Sequence, residues 1–109
     1  MAEVRKVLGQ SAPAAATATT LYTVPSATET VISLVTVANR SATPTSFRLW
    51  VDVNGAGDSD ADYLYYNVPI EGNETLEVAR GVTMDATDLL RCYATLATLT
   101  FGAFGAEIS

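Results

Sequence analysis

From Thr20 onward the chain alternates short apolar runs with turn residues. Leu21-Tyr22-Thr23-Val24 is closed by Pro25-Ser26. Thr30 to Val37 is β-branched and apolar on both faces, the pattern of a central strand in a sandwich. The polar loop Asn39-Arg40-Ser41-Ala42-Thr43-Pro44 ends it. Phe47 to Val53 has period two, which predicts Phe47, Leu49, Val51 and Val53 inward and Arg48, Trp50 and Asp52 outward. After the Gly- and Asp-rich loop 54–62, the pattern predicts further strands at Tyr63–Val68 and Glu74–Val78. Two more are predicted from Asp88 to Leu99 and from Thr100 to Ile108, the latter kinked by Gly102 and Gly105. No segment carries a sustained helical period with caps.

Strands at these turn-marked intervals predict an all-β chain. The expected architecture is a single antiparallel β-sandwich of seven to eight short strands, jelly-roll or immunoglobulin-like, over residues 20–109. Residues 1–19 read differently. A short charged and apolar stretch gives way to Ser11-Ala12-Pro13-Ala14-Ala15-Ala16-Thr17-Ala18-Thr19, in which Pro13 and the threonines oppose a helix. An extended N-terminal arm is expected there, ordered by contact with a partner.

Composition narrows the function. The chain has 109 residues, enough for one domain, and 49% of them are hydrophobic, too many for a disordered segment. Much of that fraction is Ala and Val, which predicts a thin core and makes support from neighbouring subunits attractive. Net charge is −6, and the six basic residues are dispersed except for Arg5-Lys6. Nucleic-acid backbones are held by clustered cations, so no nucleic-acid partner is expected. Nor is a membrane, since no run approaches the roughly 18 apolar residues of a spanning helix.

Histidine is absent. That removes the commonest general base, the usual zinc ligand and every Ser-His or Cys-His nucleophile. Cys92 lies in the apolar run Leu89 to Ala94 and is expected to be a buried, inert thiol. Asp58, Asp60 and Asp62 alternate on one loop, but Tyr63 and Pro69 occupy the positions where a calcium-binding EF-hand needs glycine and glutamate. The loop is expected to be a solvated turn. Asn39-Arg40-Ser41 and Asn73-Glu74-Thr75 match the glycosylation sequon, but no secretory signal gives the match weight. No catalytic, cofactor-binding or metal-binding residues are assigned, and no enzymatic activity is expected.

What remains is an aromatic concentration. Period two puts Tyr63 and Tyr65 on one face, with Leu64 and Tyr66 on the other. With Arg48 and Trp50 also directed outward, Arg48, Trp50, Tyr63 and Tyr65 form a candidate protein interface. A carbohydrate- or receptor-binding platform built on Trp50, Tyr63 and Tyr65 is the reading from another functional class.

The successions Leu8-Gly9-Gln10-Ser11-Ala12-Pro13, Leu21-Tyr22-Thr23-Val24-Pro25, Val37-Ala38-Asn39-Arg40-Ser41, Tyr63-Leu64-Tyr65-Tyr66-Asn67-Val68-Pro69-Ile70, Gly81-Val82-Thr83-Met84 and Phe104-Gly105-Ala106-Glu107-Ile108 share a likeness. Together they resemble a group of small virion structural proteins of tailed bacteriophages. The resemblance implies a β-sandwich made in the host cytoplasm that assembles, commonly as an oligomer, on a capsid or tail. The expected function is capsid decoration (cement), with a tail or baseplate component as the alternative. The implied partners are further copies of the chain, most simply in a trimer, and the major capsid protein or tail proteins.

Overall fold

The computed structural model describes residues 3–57, 59–79 and 81–109, and for Asp60 the backbone only. Nine strands follow in order among the described residues: β1 Glu3–Ser11, β2 Thr19–Thr23, β3 Glu29–Asn39, β4 Thr45–Asp52, β5 Tyr63–Ile70, β6 Thr75–Val78, β7 Val82–Met84, β8 Leu89–Ala94 and β9 Leu99–Ile108. Among the described residues there is no α-helix, only the short 3-10 turns Val53–Gly55 and Asp60–Asp62. Among these residues no helix is long and apolar enough to cross a membrane.

The strands make two antiparallel sheets that pack face to face. The first has the order β1-β9-β3-β6, with β7 also on β3, and the second the order β2-β8-β4-β5. The pairings nest about the β4–β5 connection: β4 with β5, β3 with β6 and β7, β2 with β8, and β1 with β9. β3 is central in its sheet, as its two apolar faces require. The core lies between the sheets and is filled by Ile32, Val35 and Val37 of β3, Phe47 and Leu49 of β4, Leu90 and Cys92 of β8, and Phe101 and Ala103 of β9. Phe47 and Phe101 meet edge to face across it, with ring centroids 6.1 Å apart.

The stretch expected as an arm is placed differently along part of its length. Residues 3–11 are the edge strand of the first sheet, paired with β9 from Glu3↔Ile108 to Ser11↔Phe101. The reason is backbone satisfaction rather than side-chain burial, because most of β1 stays exposed while its ladder closes β9. Gly105 is needed where β9 passes β3, since a Cβ there would overlap the Val31 carbonyl oxygen. The predicted kink at Gly102 and Gly105 is not a break, and β9 runs unbroken to Ile108.

Val53, predicted inward, is exposed in the turn that follows β4. Asn39 is turned inward. Its amide donates to the carbonyls of Thr43 (2.8 Å) and Glu71 (3.2 Å), pinning the β3–β4 loop.

Candidate functional site: the outer face of the second sheet

β4 lies between β5 and β8, so its outward side chains meet neighbours on both sides. Register sets Arg48 directly opposite Tyr93 of β8. On the other side the β4–β5 register shifts twice, between Phe47 and Leu49 and between Leu49 and Trp50. One shift sits beside Asn67, whose φ of 51° is a left-handed conformation that Asn tolerates better than most residues. The shifts undo strict alternation along β5. Tyr63 and Tyr66 come to the same face, ring centroids 4.8 Å apart and nearly perpendicular. Tyr65, paired with Leu49, packs instead against the core.

The Arg48 guanidinium is held between two rings. Its carbon stands 4.3 Å from the Tyr66 centroid and 4.5 Å from that of Tyr93. Its Nε–H donates to Asn67 Oδ1 at 2.7 Å. Each cation–π contact at such a site is worth about 0.5–1 kcal/mol, and together they restrict a side chain that is otherwise rich in rotamers. Tyr66 is 56% exposed, so the stack is presented to solvent.

Two of the four residues predicted as an interface, Arg48 and Tyr63, stand together on this face. Trp50 does point away from the inter-sheet core, as alternation requires, but it is only 2% exposed. Tyr63 covers it at 5.2 Å between ring centroids, and the turn Asp60–Asp62 packs back against β4. Asp52, also predicted outward and exposed, is buried because it accepts the Gly57 N–H of the same loop at 3.1 Å. Tyr65 is withdrawn to the core side. The stacking platform of Trp50, Tyr63 and Tyr65 is therefore not assembled. Tyr66, Asn67 and Tyr93 were missed. Tyr93 alternates with buried Cys92 and so could be assigned outward, but its place beside Arg48 follows only from the β4–β8 register.

A second polar constellation sits at one end, where the sheets meet. The Tyr22 hydroxyl donates to Glu107 Oε2 at 2.6 Å and lies 2.8 Å from the Thr30 hydroxyl, while Lys6 Nζ reaches Glu107 Oε1 at 2.9 Å. These bonds tie β2 of the second sheet to β1, β3 and β9 of the first. Donation by Tyr22, then by Lys6, holds the Glu107 carboxyl below its ordinary value. Burial, then the hydrogen bond to Glu107, pushes the Tyr22 phenol up to about 12. The arrangement is a closed hydrogen-bonded tie, with each group already engaged.

Cys92 is fully buried, as predicted, and burial pushes its thiol up to about 12. Of the aspartate loop, Asp58 and the Asp60 side chain lie outside the described residues. Asp62 accepts the Ser59 N–H at 3.1 Å. Among the described residues no group of three or more His, Cys, Asp or Glu side chains is placed to hold a metal ion. An open groove of about 490 Å³ on the first sheet is lined by Arg5, Lys6, Ser33, Phe104, Gly105 and Ala106. Its cations are paired with Glu3 and Glu107, and its hydroxyl donates to the Phe104 carbonyl. Comparison with protein-family models, with curated proteins and with solved structures finds no match.

Proposed function

We propose that this chain is a structural subunit that attaches to a larger assembly, and specifically a capsid decoration protein of a tailed bacteriophage. The observation that carries the reading is the outer face of the second sheet. There the fold fixes an arginine between two tyrosines and presents the group to solvent, which suits recognition of a protein surface. The sequence resemblance supplies the virion. The nesting of the strand pairs supports a jelly-roll, since an eight-stranded jelly-roll places paired strands in two such sheets and recurs in viral capsid domains. Here β6 and β7 together take the place of one strand. In this reading the edge strand β1 contributes to contacts between copies, and the assembled form is a closed homo-oligomer, a trimer in the simplest case.

The test is attachment and stoichiometry. Purified protein is mixed with shells that lack it, and bound copies are counted by cryo-microscopy. Hundreds of copies per particle are expected. A handful, confined to one vertex or the tail, assigns the chain to the tail or baseplate instead. Absence from the particle refutes the virion reading altogether.

A further inference from the structure

Arg48 has both faces of its guanidinium and its Nε occupied, yet its two Nη groups have no hydrogen-bond acceptor among the described residues. It also has no ion-pair partner there. A guanidinium left to itself would wander and stay hydrated. This one is fixed by the rings of Tyr66 and Tyr93 and by Asn67, whose side-chain oxygen accepts from Nε. The ordering cost of a long cationic side chain has thus been met before any ligand arrives.

We infer that this group is a carboxylate receptor: the two Nη groups of Arg48 take an aspartate or glutamate side chain of the partner in a two-pronged ion pair. The inference rests on the reading of this face as a docking surface and names what docks there. A guanidinium fork is planar and matches a planar carboxylate bidentately, which a lysine ammonium cannot do. Arg91, two residues along β8 from Tyr93, is already engaged, its Nη1 donating to the Thr20 hydroxyl at 2.7 Å, so Arg48 is the group this face offers. The fixed guanidinium of Arg48 suits a single carboxylate, whereas the overall charge repels a polyphosphate backbone.

The experiment uses the full chain and defined probes. Acetate and a hexaglutamate peptide are titrated while the Arg48 Nε–H and the Tyr66 and Tyr93 ring signals are followed by NMR, with hexaglutamine and inorganic phosphate as controls. Both carboxylate probes are expected to move these three sets of signals together. Arg48→Lys is expected to weaken hexaglutamate by about fivefold or more, because it loses the fork and the stacking. Asn67→Asp places a carboxylate beside the guanidinium within the chain and is expected to abolish the response while leaving the melting curve cooperative. Three results overturn the inference: Arg48 signals that stay still in both carboxylates, Arg48→Lys titrating like the parent, or hexaglutamine or phosphate competing as well as hexaglutamate. These titrations need no particle. The docking reading fails separately, if Tyr66→Ala and Arg48→Glu chains decorate shells as the parent does.

Discussion

Replacing Tyr22 by Phe removes one oxygen from the only place where four strands of both sheets share a described side-chain network. The hydroxyl lies 2.6 Å from a carboxylate oxygen and 2.8 Å from the Thr30 hydroxyl, and Thr30 is fully buried. A hydrogen bond to a charged acceptor contributes about 1.5–3 kcal/mol, and Thr30 is left without this partner. Glu107 keeps Lys6, which limits the damage, so a loss of about 2 kcal/mol is expected. For a chain of this size that is a fall in Tm of roughly 8 °C. The pH dependence follows from the two titrating groups. The Glu107 carboxyl is held below its ordinary 4.5, so its stabilisation is complete above that value and fades as pH falls through its lowered folded-state value. Tyr22 is raised from 10.0 to about 12, so its stabilisation is complete below pH 10 and fades between there and about 12. Thermal melts of parent and Tyr22→Phe at pH 3, 7 and 10.5 measure both. The gap between the two proteins should be widest at pH 7 and narrow at pH 3. A gap under about 2 °C at pH 7, or one unchanged at pH 3, would refute the reasoning.

Two further outcomes follow from packing. Gly105→Ala forces a methyl group against the Val31 carbonyl between adjacent strands, and urea unfolding should show a loss of about 2–3 kcal/mol with the m-value unchanged. The Cys92 thiol, fully buried and raised from 9.0 to about 12, should resist an aromatic disulfide reagent at pH 8 and react fully only in denaturant.

How much of this was legible in the sequence depends on what each feature requires. Thr30–Val37 and Phe47–Leu49 carry their burial pattern in their own residues, so the central strand and the core face could be assigned directly. β1 could not, because Glu3, Arg5 and Lys6 look like solvent-facing residues and its partner lies at the far end of the chain. Alternation gave Trp50 its correct side of the sheet and the wrong exposure, since periodicity does not register a loop folding back over a strand. The exchange of Tyr65 for Tyr66 on the outer face follows from register shifts beside Asn67, and an Asn in a strand does not announce a bulge. Arg48 was visible as an outward cation. Its two flanking rings come from strands on opposite sides, which only the pairing brings together.

The pairing of Glu3 with Ile108 has a consequence for synthesis. At about 5–20 residues per second, roughly 5–20 s separate the making of β1 from the making of the strand that completes it. Through that interval β1 is a nascent strand with neither edge paired, and the β4–β5 hairpin is the first long-strand pairing whose two partners have both been made. The charges of Glu3 and Arg5, which among the described residues pair only with each other, then act as gatekeepers against pairing with other nascent chains, and so does Lys6 until Glu107 is made. Sheets closed by their first and last strands fold slowly, on the millisecond-to-second scale once the chain is whole. The making of β9 thus decides when β1 passes from a strand open on both edges to one open on a single edge.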